Sequence, residues 1–141
     1  MSILLPVDGS DCSERAVAAL IEELGWFRET PEIHLLHVHL PIPIGRIQEH
    51  VGKETMRRYY QEEGEAQIAA ARARLDAAGL AYRVHVHVGL PAEVIAHQAE
   101  ELDCDLIQMG SHGRGSVSAT VLGSTVAKVL HLTRRRVLLA R

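Results

Sequence analysis

The chain has 141 residues, 47% of them apolar and 23% charged, with a formal net charge of −3. That length suits one domain over residues 1–141, able to bury about two-thirds of the surface its unfolded chain exposes, and the mixed composition excludes wholesale disorder. The slightly acidic balance gives no basic field for duplex nucleic acid, and no apolar run approaches the ~20 residues that span a bilayer. Cys12 and Cys104 stand in no metal or redox spacing, and no signal peptide precedes Ile3. Both features fit a reducing, cytoplasmic setting.

Residues 3–7 form a continuous apolar run, as expected of a parallel strand covered on both faces. Pro6 cannot donate to a ladder, so the strand should leave the sheet there, with Val7, Asp8 and Gly9 at its C-terminal mouth. Asp11 followed three residues later by Glu14 gives a capping signal for a helix whose inner face is Ala16, Val17, Leu20, Ile21 and Leu24 and which ends at Gly25. Residues 33–40 read as the second strand. Pro41, Pro43 and Gly45 follow, and residues 46–60, rich in charge, read as a lid or variable segment. Residues 54–78 are helical in composition, with Ala66, Ala69, Ala70, Ala73 and Leu75 facing inward, Glu62, Glu63, Arg72 and Arg74 outward, and Gly79 as the stop.

Residues 82–88 alternate Arg83, His85 and His87 with Val84, Val86 and Val88, the pattern of an edge strand with one buried and one partly solvated face. Pro91 opens a helix that buries Val94, Ile95, Ala99 and Leu102. Residues 105–109 give a fourth strand, 125–132 a helix and 136–140 a fifth strand. Strands alternating with helices over short connections imply an α/β fold, a doubly wound parallel sheet with helices on both faces. In such sheets ligands bind beyond the strands' C-terminal ends, where the strand order reverses.

Residues 109–126, Met-Gly-Ser-His-Gly-Arg-Gly-Ser-Val-Ser-Ala-Thr-Val-Leu-Gly-Ser-Thr-Val, carry the chemistry. A strand is followed by a glycine-bearing loop and a helix start. Gly110, Gly113 and Gly123 let backbone N–H groups approach an anion, and Ser124 can cap the helix whose N-terminus attracts it. Glycines after a strand are also ordinary turn residues, and the spacing is neither a Walker A loop nor a dinucleotide fingerprint. Asp8 has a ligand-binding reading, accepting from base or ribose donors, and a turn-capping one. His112 is a phosphate donor or a plain loop residue. His37 and His39 share one strand face and His85 and His87 another, so pairing of the second and third strands could bring four imidazoles together. No established zinc spacing supports that, and no metal ligand is assigned.

The spacing Gly110-x2-Gly113-x9-Gly123-Ser124, with Met109 before it and Ser111, His112 and Arg114 within it, resembles the nucleotide-binding signature of the universal stress protein family. The resemblance runs from Ile3-Leu-Leu-Pro-Val-Asp-Gly-Ser10 to the closing Val137-Leu-Leu-Ala-Arg141. It implies a five-stranded sheet of order 3-2-1-4-5, reversing between the strands that end in Asp8 and Gly110. It implies an adenine nucleotide as ligand, ATP, ADP or AMP, with or without Mg²⁺. The implied site is Pro6, Val7, Asp8, Val38, Met109, Gly110, His112, Gly113, Arg114, Gly123, Ser124, Thr125 and Val126, with no catalytic residue. Val38 matches a position where the family holds adenine by backbone groups, and Thr125 replaces the family's usual valine. The implied function is stress-response regulation with slow or absent ATP hydrolysis, by a homodimer joined through the last strand, from Val137 to Ala140, and acting on a protein partner that the sequence does not name. The alternative is an interaction module of the same fold without nucleotide. Gln108 replaces an apolar residue of the family's fourth strand and needs hydrogen-bond partners if buried. Arg134, Arg135 and Arg136 stand where the family tends to have a proline, and are expected to repel one another or to pair with acids on the dimer partner.

Overall fold

The computed structural model describes residues 1–42, 52–112 and 122–141. The apolar runs become five strands, β1 (Ser2–Pro6), β2 (Glu32–His39), β3 (Tyr82–Val88), β4 (Leu106–Gly110) and β5 (Arg136–Ala140). They lie parallel in the order β3-β2-β1-β4-β5. The helices between them are α1 (Asp11–Glu22), α2 (Lys53–Ala77), α3 (Pro91–Glu101) and α4 (Ser124–Leu132).

Side chains alternate across each strand, so β1 sends Ile3 and Leu5 to one side and Leu4 to the other. The first side packs on α1 and α2 through Val17, Leu20, Ile68 and Leu75. The second packs on α3 and α4 through Ile95, Ala99, Val126 and Val129. Both faces of the central strands are therefore covered, which is why their sequences are apolar without alternation.

Several local expectations are corrected. β1 ends at Pro6, but the pairing carries one residue further because the Val7 N–H donates to Leu36 O at 2.8 Å. The cap of α1 is Ser10, whose hydroxyl accepts from Ser13 N, and Asp11 is the first helical residue. The α-helix stops at Glu22, and a 3-10 turn, Glu23–Trp26, contains Gly25. In α2 the buried stripe is Gly64, Ile68, Ala71 and Leu75, while Ala66, Ala69, Ala70 and Ala73 face solvent. The larger Ile68 and Leu75 decide the helix's rotation, because each buries more apolar area than an alanine. Gly64 is required by the packing, since a Cβ there would lie 2.9 Å from a Val86 methyl of β3.

The valine face of β3 is not uniformly buried. Val84 and Val88 are exposed and only Val86 sits under α2. Nor do the four histidines meet. The register pairs His37 with Val86 and Val38 with His87, which puts His37 and His39 on the α2 side and His85 and His87 on the α3 side. The ring that does meet His85 is His34, with His34 Nδ1 and His85 Nε2 3.0 Å apart.

This pair links stability to pH. Burial foremost, then the neighbouring positive groups, holds both imidazoles below the ordinary value of 6.5, with Glu32 opposing for His34 and Glu101 for His85. As pH falls below 6.5 the unfolded chain takes up protons that the folded pair refuses, so stability is complete above that pH and declines beneath it, until the folded pair itself titrates. Urea denaturation at pH 7.5 and 5.5 should show a lower midpoint at the acid pH, and His85→Gln should flatten that dependence.

Gln108 is fully buried, and its Nε2 donates to Ala16 O at 3.3 Å and Glu23 Oε2 at 3.1 Å, which ties β4 to α1 and to the 3-10 turn. Of the three arginines, Arg135 is held within its own chain by Glu100 at 2.7 Å and Asp103 at 2.9 Å.

Candidate functional site

The sheet's order reverses between β1 and β4, and what lies beyond their ends is set by short-range bonds. At the β1 mouth, Ser10 N donates to Asp8 Oδ1 at 3.0 Å and Asp8 N donates to Ser13 Oγ at 3.4 Å. Gly9 between them takes the left-handed φ of 74°. Asp8 thus does hold the turn, and it also lines the cavity beyond it. From β2, His37 Nδ1 donates to Val7 O at 2.8 Å, since a carbonyl can only accept, and this fixes the peptide before Asp8.

Gly110 closes β4, and the packing gives its missing side chain a further reason. A Cβ there would lie 2.6 Å from the Cys12 carbonyl oxygen and 2.9 Å from its sulfur, so the glycine admits α1. Ser111 N then donates to Ala140 O at 2.8 Å, and Gly123 N donates to Ser111 O at 3.0 Å. The second bond draws the start of α4 back to the end of β4. His112 is fastened by its N–H to Cys12 Sγ at 3.3 Å and by Nδ1 to Ser111 Oγ at 2.9 Å. Its Nε2 is buried with no hydrogen-bond partner among the described residues.

The cap of α4 is Gly123, at φ −58° and ψ 146°, and Ser124 is the first helical residue rather than the cap. The N–H groups of Ser124, Thr125 and Val126 have no acceptor within the helix. Together with the helix dipole they make a positive pole suited to an anion.

One cavity of about 700 Å³ collects these parts. Of the residues expected from the sequence, Pro6, Val7, Asp8, Val38, Met109, Gly110, His112, Gly123, Ser124, Thr125 and Val126 all line it. Gly113 and Arg114 lie outside the described residues, as does most of the expected lid before Gly52. The sequence reading missed the opposite wall, made by His37 and His39 of β2 and by Tyr59, Tyr60, Glu63 and Gln67 of α2. Spacing of four along α2 was the available signal, because Tyr59, Glu63 and Gln67 fall on one helical stripe. Among the described residues no group of three or more His, Cys, Asp or Glu is placed to hold a metal ion, and no helix is long and apolar enough to cross a membrane.

Comparison with known proteins places this geometry in a family. The model of the universal stress protein family matches residues 1–141. A universal stress protein of Thermus aquaticus, from the QAH/OAS sulfhydrylase 3′ region, is 33% identical over 143 aligned positions covering 99% of this chain and 98% of that one. The solved structure of protein MJ0577 of Methanocaldococcus jannaschii superposes with a TM-score of 0.83 at 27% identity, over 99% of this chain and 94% of the other. The universal stress protein of Archaeoglobus fulgidus, solved in complex with dAMP, shares the fold at a TM-score of 0.69 and 21% identity, with 100% and 98% coverage. With its whole length matched by the family model and by a Thermus relative, the chain belongs to the universal stress protein family.

Proposed function

We propose that the cavity binds an adenine nucleotide and that the protein is a cytoplasmic stress-response regulator rather than an enzyme of ordinary turnover. The observation that carries this is the convergence, at the reversal of strand order, of the α4 N-terminus and the β1 mouth on one cavity. The residues present fit such a ligand. The N–H groups of Ser124 and Thr125 suit phosphate oxygens, His112 Nε2, which has no partner among the described residues, offers a further bond, and Asp8 can accept from a ribose hydroxyl. The dAMP bound to the Archaeoglobus relative supports the choice of base. Asp8 and Ser124 carry the hard oxygens that Mg²⁺ prefers.

Hydrolysis should be slow or absent. Phosphoryl transfer to water needs a residue that orients the attacking water, and His112, the candidate among the described residues at the phosphate end, has Nδ1 engaged by Ser111 and its remaining nitrogen, Nε2, assigned above to the phosphate. A homodimer through the outer edge of β5 completes the proposal, because Val137 to Ala140 are only half-buried within the chain.

The experiment is denaturing release and mass identification of any copurifying small molecule, then calorimetric titration of the emptied protein with ATP and Mg²⁺. Adenine nucleotide recovered, or bound at micromolar affinity, is the expected result. Neither nucleotide nor heat would leave an interaction module of the same fold, and turnover at the rate of ordinary kinases would remove the regulator.

A further inference from the structure

The sheet has two outer edges. That of β5 belongs to the homodimer proposed above, and that of β3 is open among the described residues, where β2 is the strand it pairs with. Which backbone groups β3 turns outward follows from one bond just beyond its end. Gly89 N donates to His39 O at 2.8 Å, and along a strand the N–H and C=O of one residue point to one side and those of the next residue to the other. Arg83, His85 and His87 therefore bond to β2 as Gly89 does, and Val84, Val86 and Val88 turn their N–H and C=O groups away from the sheet.

The side chains along this edge sort by the same parity. Val84 and Val88, on the α2 side, are 37% and 46% exposed. On the α3 side His85 is taken by His34, and His87 is half-buried. Arg83 stands out into solvent, with Glu32 at 3.2 Å occupying one of its nitrogens and leaving the others for a further acceptor. The register with β2 runs from Tyr82 to Val88 without a bulge, and no proline interrupts it. The edge thus lacks two of the devices by which proteins block strand addition.

We propose that β3 is a docking edge for an extended peptide segment of a partner protein. The segment adds as a further strand, with apolar side chains over Val84 and Val88 alternating with acidic ones beside Arg83 and His87. Main-chain bonds to Val84, Val86 and Val88 supply the pairing, and the two faces read the sequence. Acids are selected because opposite charges across a strand pair favour it and like charges oppose it. Size argues against a second copy of this chain. Seven residues span about 23 Å, the length of a bound peptide, and two exposed valines fall far short of the roughly 1,200 Å² that a stable interface between folded subunits buries. A second β3 would also set the Arg83 and His87 face beside its own copy. No β3 residue lines the cavity, and binding at this edge does not require a nucleotide.

The probe is a fluorescein-labelled seven-residue peptide alternating valine and glutamate, titrated into the protein by anisotropy and followed by amide hydrogen exchange. In the free protein the Val84, Val86 and Val88 amides should exchange at once and those of Arg83, His85 and His87 slowly. The peptide should bind saturably and slow exchange at the three valines. Replacing its glutamates by lysines should weaken it about fivefold, and Arg83→Glu should reverse that preference. N-methylation of its valines or of its glutamates should abolish binding in one case and spare it in the other, because donors of only one parity meet β3. Val84→Pro removes one outward donor and no bond to β2, so it should keep the parent Tm and weaken the peptide about tenfold. The N-methylated peptides need no variant, so the outcome does not hang on how Val84→Pro folds. Absence of saturable binding at millimolar peptide, binding that leaves the three valine amides unprotected, or indifference to which set is N-methylated would overturn the proposal. So would valine amides that become protected as protein concentration alone is raised, with a further step in mass by ultracentrifugation, since a second copy would then cover the edge.

Discussion

Gly110→Ala should lower the unfolding free energy by about 2–3 kcal/mol, a fall in Tm of roughly 6–12 °C. The added Cβ would sit 2.6 Å from the Cys12 carbonyl oxygen and 2.7 Å from its carbon. These are backbone atoms of the first turn of α1, which is capped by Ser10 and packed through Val17 and Leu20 against the sheet. A flexible side chain could swing aside, but a helix turn can yield only by moving α1 or β4. Moving β4 would strain the Gln108 bonds to Ala16 and Glu23 and the Ser111 bond to Ala140. Thermal and urea denaturation of the variant measure the cost. Stability within 0.5 kcal/mol of the parent, an ordinary surface value, would mean that α1 and β4 can separate freely. Nucleotide affinity supplies a second reading, since the same shift would displace His112, whose N–H is tied to Cys12 Sγ.

That double role explains where the sequence was readable. The central strands were legible because burial on both faces leaves a continuous apolar run, as in Ile3, Leu4 and Leu5. Strand order was not contained in those runs and followed only from the family resemblance. Gly110 ends β4 against Cys12 of α1, and a glycine that makes room for a ligand and one that makes room for a neighbouring helix look alike in sequence. The rotation of α2 was misjudged because alanines tolerate either environment, so four of them formed an apparent face that Ile68 and Leu75 overrule. The histidines failed for a different reason. Parity within each strand was right, but the face shared across strands depends on register, and pairing Val38 with His87 separates the two sets.

The site divides along the same line. Its β1 and β4 sides follow from local chain order, because a strand's end and the turn after it stay together wherever the sheet forms. Its α2 side is brought to β2 by packing at Gly64 and by the Tyr60 bond to Ile42. Tyr59 and Tyr60 sit in a charged stretch whose apolar period is weak, and nothing local announces which cavity they face.

Ser124→Pro separates the fold from the phosphate end of the site, and should weaken nucleotide binding about 10- to 100-fold with Tm unchanged. Proline is favoured at the first helical position, where its fixed φ matches the helix and its missing N–H had no intrahelical partner. It also requires an extended residue before it, and Gly123 already stands at φ −58° and ψ 146°. The Gly123 N–H bond to Ser111 O and the Ala127 N–H bond to Gly123 O are untouched, so α4 should start where it does now. What disappears is one backbone donor and one hydroxyl at the positive pole of the helix. A hydrogen bond to a charged group contributes about 1.5–3 kcal/mol, which is the stated loss of affinity if the Ser124 donors meet a phosphate. Ser124→Ala keeps the N–H and removes only the hydroxyl, so it should fall between parent and proline variant. Calorimetry on the three proteins decides the matter. An unchanged affinity in the proline variant would place the phosphate away from α4, whereas a loss equal in both variants would assign the whole effect to the hydroxyl and none to the helix terminus.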